Sequence, residues 1–168
     1  MSNTYLLPKS FAKLKLLILK FDGSDALAAF LVHSLKEKLG IEVTAKVYAS
    51  DEFHKTVKSG GADLFVAHWG ADFPDAVNYL DIFQGGSGTI STGWKNAQFD
   101  SLLKEASLMR DKSKRQSLLS RAEQLLVLNE VVIYPLFYRK NAVLLGPKIK
   151  EFKISPLNYL FFKELTLK

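Results

Sequence analysis

Trp69 and Asp72 are the two residues whose types and spacing most suggest chemistry. They lie in the stretch VAHWGADFPDAVNYLDIF, where an apolar run ends in an aromatic residue, a glycine and an acid, and Pro74 follows. A carboxylate beside an aromatic wall suits a cation with an apolar neighbour, and ligands bind at strand ends in α/β sheets. Alternatively, Asp72 caps a helix that opens near Pro74, and Trp69 belongs to the core. The residues alone leave both interpretations open.

Other residues offer little support for catalysis or a cofactor. The chain has no cysteine, which excludes thiol catalysis and thiolate zinc sites. The glycine-rich segment GGSGT lacks the lysine of a phosphate loop and follows a helix pattern, so it predicts a surface loop. Asp75 and Asp81 fit helix-start and helix-surface positions better than an acid–base pair. The three histidines lack metal-ligand spacing, and each falls in a different element: His33, His54 and His68.

The composition is that of one globular domain with a diffuse positive charge. The chain has 168 residues, 48% of them apolar, and a net charge of +6. Its lysines and arginines form no stripe interleaved with aromatic residues, which favours solvated faces over a nucleic-acid surface. The first residues lack the pattern of a signal peptide, and the run LKLLILKF is too short to span a membrane. We therefore expect no direct membrane insertion.

The first half of the chain predicts a strand–helix–strand–helix–strand order. The third strand, over 62–69, is apolar on both faces and is expected deep inside a sheet. Ser24 or Asp25 would cap the first helix and Gly40 would end it, while Ser50 or Asp51 would cap the second. The first helix should bury one face, formed by Leu27, Phe30, Leu31, Leu35 and Leu39. This order is typical of an α/β domain with right-handed crossovers.

The second half predicts a helix pair followed by strands. Helical spacing joins two apolar sets, and Asp111 or Ser113 would cap the second helix. The two sets are Phe99, Leu102, Leu103 and Ala106, and then Leu118, Leu119, Ala122, Leu125 and Leu126. Three strand candidates follow, over 131–138 (interrupted by Pro135), 141–148 and 158–167.

The segment GGADLFVAHWGADFPDAVNYLDIF resembles the signature of the oligopeptide- and dipeptide-binding proteins of bacterial ABC importers. The resemblance continues through KEKLGIEVTAKVY before it and through the helix pair after it. It implies an α/β fold, a single lobe of a two-lobed periplasmic-binding-protein-like architecture, with a mixed sheet flanked by helices. Such lobes close over ligand by hinge motion. It further implies a leader or added segment over 1–12 and a C-terminal ligand-binding lobe over 13–168, with roughly the last 20 residues belonging to the missing N-terminal lobe.

The resemblance also implies a function and a site. The lobe would bind peptide without catalysis or cofactor, partner an ABC permease through the complete receptor, bind no nucleic acid and act outside the cytoplasm. Asp72 would receive the peptide's α-ammonium group. The extended ligand backbone would pair with His68, Trp69 and Gly70, as in strand addition. Ala71 and Phe73 complete the expected ligand contacts.

Two departures from the family pattern and two other function classes stay open. Some family members carry an arginine where this chain has Val66, and Lys58 is the nearest basic residue upstream, so the handling of a peptide carboxylate is open. His68 stands where relatives often have a small residue. The alternative to a peptide receptor is a basic module that binds nucleic acid or an acidic protein. A small enzyme using the carboxylates near Asp72 ranks last, because no nucleophile or base is arranged around them.

Overall fold

The structure is a computed structural model that describes residues 13–85, 90, 92–140, 142–155, 157 and 159–168. The predicted segment 1–12 lies outside these residues. The described chain forms two compact units, one ending at His68 and the other beginning at Trp69. Helices and strands alternate in the first unit and helices dominate the second, so the predicted α/β class is confirmed.

The first unit has the predicted strand–helix–strand–helix–strand order. Its elements are β1 Lys13–Leu19, α1 Ser24–Leu39, β2 Glu42–Tyr48, α2 Ser50–Lys58 and β3 Leu64–Val66. The three strands are parallel in the order β2-β1-β3, so β1 is the central strand. Leu16, Leu17, Ile18 and Leu19 of β1 are buried, as expected for a strand covered on both faces. Phe53 of α2 packs on Leu17 and Leu19.

The third strand differs from its prediction. It is three residues long, lies at the edge of the described sheet, and leaves Leu64 41% exposed. Its flanking apolar residues, Ala62 and Ala67, pack instead against the small core around Phe53. An apolar run reports burial of side chains and carries no information on how many strands pair with it.

The predicted helix caps in the first unit are partly wrong. Gly23, with φ 92°, precedes α1 and provides no side-chain cap, while Ser24 is a buried helical residue. Ala49 precedes α2, again without a side-chain cap. Gly40 ends α1 as predicted, in a left-handed conformation. Two residues of the predicted apolar face of α1 are exposed, Phe30 at 64% and Leu39 at 50%.

The second unit is built around a helix pair. Its helices are α3 Val77–Leu80, α4 Ala97–Leu108 and α5 Lys112–Gln124; a 3₁₀ turn Asp81–Phe83 follows α3, and a π-helical turn Leu125–Asn129 follows α5. The predicted apolar sets of α4 and α5 are buried, except that Leu125 is only partly so. The Asp111 carboxylate caps α5 by accepting from the N–H groups of Ser113 and Lys114, at 2.9 and 3.0 Å. Asp111, and not Ser113, is therefore the cap.

The chain after the helix pair contains less strand than predicted. Residues 131–138 and 142–148 form no strand; Asn141 lies outside the described residues. Among the described residues of this region, only β4 Ile149–Glu151 and β5 Thr166–Leu167 pair as strands; they are antiparallel, and an isolated bridge joins Ile154 and Leu160. Of the candidate 158–167, Asn158 is outside the described residues. Residues with high β-propensity favour a strand, but a strand forms only where a neighbouring strand is available to hydrogen-bond with it.

Candidate functional site

The site loop, Trp69–Ala76, opens the second unit and leads into α3. It carries five of the six predicted contact residues, while His68 is the last residue of the first unit. The loop has bends and a turn but no regular secondary structure. Its shape therefore depends on the hydrogen bonds made by its own side chains and by α3.

Asn78 holds the start of the site loop. This residue is only 5% exposed, and its Oδ1 atom accepts from the backbone N–H of Asp72 at 2.8 Å and from the Trp69 indole N–H at 3.4 Å. The Trp69 ring is partly buried and packs against the core of the second unit. The core interpretation of Trp69 is thus confirmed, and its polar edge is also fixed.

The Asp75 carboxylate, and not that of Asp72, accepts a backbone N–H at the start of α3. The Asp75 Oδ1 atom accepts from the Val77 N–H at 2.9 Å and from Arg115 Nη2 of α5 at 2.9 Å. The Arg115 hydrogen bond, followed by that from Val77, holds the pKa of Asp75 below the usual aspartate range. The prediction that Asp72 caps this helix is wrong, and that of Asp75 as a helix-start residue is confirmed.

The Asp72 carboxylate is left free by this arrangement. Asp72 is exposed, and no hydrogen bond to its carboxylate occurs within the described ranges of the chain. Phe73, the next residue, is 44% exposed. A charged acceptor and a partly exposed aromatic ring therefore follow one another along the loop, and these are the two residue types that suit a cation with an apolar neighbour.

The backbone before Asp72 is also open. In the part of the chain that the structure describes, no backbone–backbone hydrogen bond involves His68, Trp69, Gly70 or Ala71. A Cβ built on Gly70 would meet no atom within 4 Å, and Gly70 has no positive φ. Nothing in the described chain therefore requires a glycine at this position.

The histidines form no metal-binding group: among the described residues, no three His, Cys, Asp or Glu side chains come together in a way that could hold a metal ion. His68 is exposed and makes an edge-on contact with Phe21, with 6.1 Å between ring centroids. His54 stacks edge-on with Phe53 at 5.4 Å, and His33 is exposed on α1. These contacts are those of surface rings resting on aromatic neighbours.

Sequence reasoning missed the two residues that shape the loop, Asn78 and Arg115. Asn78 had one usable signal, since it is a polar residue two positions before Leu80 in a segment with several large apolar residues. Arg115 had none, because it lies 40 residues after Asp75 and only tertiary packing brings the two together.

No helix within the described ranges combines the length and apolarity needed to cross a membrane.

The sequence matches one family model and is similar to several known bacterial proteins. The family model "Bacterial extracellular solute-binding proteins, family 5 Middle" matches residues 10–91, which include the site loop. The chain is 29% identical over 150 residues to the probable deoxycholate-binding periplasmic protein YgiS of Escherichia coli, covering 89% of this chain and 28% of that protein. It is 28% identical over 137 residues to the dipeptide-binding protein DppE of Bacillus subtilis, covering 82% and 25%.

Solved structures agree with these relatives in fold. A periplasmic oligopeptide-binding protein of Borrelia burgdorferi matches with a TM-score of 0.68 and 26% identity, over 74% of this chain and 25% of that one. The murein tripeptide-binding protein MppA of Escherichia coli matches with a TM-score of 0.80 over 92% of this chain and 30% of that one; at 22% identity it speaks for the fold alone.

The chain spans less than a third of the length of these relatives. Over that span, the family model is one of bacterial extracellular solute-binding proteins, and the similar proteins include a dipeptide-binding and an oligopeptide-binding receptor of that kind, so the resemblance to this class of ABC-importer receptors is confirmed.

Proposed function

We propose that this chain is a non-catalytic ligand-binding part of an ABC importer's receptor, and that Asp72 binds the α-ammonium group of a peptide. The observation that carries this proposal is the free, exposed Asp72 carboxylate, set on a loop whose backbone is held by buried Asn78. A carboxylate used as a helix cap would have part of its accepting capacity taken by backbone N–H groups, whereas both oxygens of Asp72 are available to a ligand among the described residues. An ammonium–carboxylate contact is a charge-assisted hydrogen bond and strengthens when closure of a receptor excludes water.

The backbone around Gly70 supports binding of an extended peptide. The N–H and C=O groups of residues 68–71, which make no backbone–backbone hydrogen bond within the described part of the chain, could pair with ligand main chain, which provides affinity for any peptide sequence. The open space at Gly70 admits a close-lying backbone, and the exposed Phe73 ring supplies apolar contact. His68, the last residue of the first unit, is a further proposed contact with the ligand.

The choice of a peptide over another ligand rests on charge. The names of the relatives include a deoxycholate-binding, a dipeptide-binding and a heme-binding protein, so the resemblance alone does not select the ligand class. Deoxycholate is an anion, and a free carboxylate at the site would repel it. Val66 is uncharged, so we expect the peptide carboxylate to be bound elsewhere than at this strand.

The remaining partners follow from the same proposal. In a receptor of the relatives' length, the apolar side chains exposed after the helix pair would contact the rest of that receptor. The complete protein would act outside the cytoplasm and deliver its ligand to a permease. Tyr134, Tyr138 and Leu144 are 79%, 95% and 101% exposed. Their exposure is what an unfilled contact surface requires.

The experiment is an amide NMR titration with a tripeptide and its N-acetylated form, on the wild type and on Asp72→Asn. We expect shifts at residues 68–73 with the free amine only, and a loss of at least about tenfold in affinity in the variant, as for a charged hydrogen bond. Deoxycholate serves as the comparison ligand.

Three results would contradict the proposal. Equal shifts from both peptide forms would remove the amine contact. Shifts from deoxycholate alone would change the ligand class. Binding of an acidic polymer with a steep salt dependence, unaffected by Asp72→Asn, would favour the basic interaction module.

A further inference from the structure

Asn78 is a buried polar residue of α3. Burying an amide costs free energy unless its polar atoms are hydrogen-bonded. At Asn78 the buried oxygen accepts from two donors, both in the site loop, six and nine residues upstream. Ile82 and Phe83, which follow it, are buried in the core of the second unit. The amide therefore links the core to the loop that presents Asp72.

The position of Asn78 is itself fixed from the other side. Its backbone N–H donates to the Asp75 carbonyl oxygen at 3.1 Å, and the Asp75 side chain is bonded to Val77 and to Arg115. The loop between Asp72 and Asp75 thus has one end on the Asn78 side chain and the other on α5. Because both ends are held, the position of the Asp72 backbone, from which its carboxylate extends, is set by these contacts.

We propose that Asn78 is the positioning residue for amine recognition, which rests on the proposed function of Asp72. Asn78 does not touch ligand. It orients the Trp69 indole and holds the Asp72 backbone, so that the exposed carboxylate extends from one fixed point of the loop. The selectivity for a free amine over an acetylated one therefore depends on Asn78 as well as on Asp72.

The chain offers a matched set of variants at this position. Asn78→Leu has about the same size and removes the acceptor, and Asn78→Asp has nearly the same shape and keeps an acceptor oxygen for both donors. Asn78→Ser is a smaller change that loses reach, and it replaces the leucine variant if that one does not fold. Folding of each variant is read from the Trp94 indole and from the amides of α4.

The first readout needs no ligand. In Asn78→Leu, the Trp69 indole N–H signal should move and the Asp72 amide should exchange with solvent at least about tenfold faster, because both have lost their acceptor. The Trp94 indole signal is the internal control and should stay in place. In Asn78→Asp both signals should remain close to those of the wild type. Unchanged Trp69 and Asp72 signals in a folded leucine or serine variant would overturn the proposal whatever the ligand does.

The second readout is the ratio of affinities for a tripeptide and its N-acetylated form. Asn78→Leu should lower this ratio at least about fivefold, and Asn78→Asp should give a ratio close to that of the wild type. The reason is that the preference for the free amine depends on where the Asp72 carboxylate lies. A purely structural role would weaken both peptides equally and leave the ratio unchanged, which would also overturn the proposal. A wild-type ratio near one would refute the proposed function instead, and amine positioning with it, while the ligand-free signals would still report on the Asn78 contacts.

Discussion

At the scale of the residue, Asp72 and Asp75 show how context divides two identical side chains. They are three positions apart in one loop. The Asp75 carboxylate is bonded to Val77 and Arg115, whereas that of Asp72 is free among the described residues and exposed. The first is used for structure and the second is available for a ligand. The sequence could not decide which of them would cap the helix, since both precede it at plausible distances.

Gly70 provides a test that separates folding from binding. An alanine Cβ there meets no protein atom within 4 Å and the backbone has no positive φ, so Gly70→Ala should change the free energy of unfolding by less than about 1 kcal/mol. If peptide backbone approaches this position, the added methyl group should reduce affinity at least about fivefold. Urea unfolding and the NMR titration measure the two effects.

The matched control is Gly146→Ala, whose added Cβ also meets open space. It should change neither stability nor affinity. Full affinity in Gly70→Ala would mean that the ligand backbone lies elsewhere.

At the scale of the element, the sequence pattern predicted the helix pair and the first two strands well, and the strands after the helix pair poorly. The apolar faces of α4 and α5 pack against each other, and each helix makes its backbone hydrogen bonds within itself. Both starts carry side-chain caps, from Asn96 and Asp111. By contrast, the strand predicted at 131–138 has apolar residues but no paired neighbour in the described chain.

The Asp75–Arg115 pair should make the link between the site loop and α5 sensitive to acid. The pKa of Asp75 is lowered in the folded state by the Arg115 and Val77 hydrogen bonds, from an ordinary value of 3.8. Its contribution to stability is therefore present above that value and is lost as pH falls through the folded pKa. We expect Asp75→Asn to cost about 1 kcal/mol near neutral pH, reduced by the partial exposure of the pair, and almost nothing at about pH 2.

Urea unfolding of both proteins across this pH range measures the difference. Arg115→Met should give a similar loss, and the double variant should lose less than the sum of the two. A difference between wild type and Asp75→Asn that stays constant down to the lowest pH would contradict the assignment.

At the scale of the whole molecule, the apolar side chains of the described residues include those buried in two core clusters and a set that is exposed to solvent. Phe99, Ala106, Ala122 and Leu126 are at most 1% exposed, whereas Tyr138 and Leu144 are almost fully exposed. Under the proposed function, the second set would contact the rest of a longer receptor.

This division predicts opposite responses to substitution. Tyr138→Ser and Leu144→Ser should each change the free energy of unfolding by no more than about 0.5 kcal/mol, because neither side chain is buried. Leu126→Ala should cost about 2–5 kcal/mol through lost burial and a cavity. Denaturant unfolding measures all three. A loss above about 1 kcal/mol in either serine variant would show that this segment packs in the folded chain.

The sequence by itself determined the features that depend on residues close together in the chain. Periodicity located the helix pair, the strand–helix alternation indicated the α/β class, and the run from His68 to Phe73 contained the exposed acid and its open backbone. Only the tertiary structure decided the edge position of β3, the division of roles between Asp72 and Asp75, and the hold of Asn78 and Arg115 on the site loop. The physical reason is range: helices are stabilised by contacts three and four residues apart, whereas strand pairing and buried polar contacts join residues that only folding brings together.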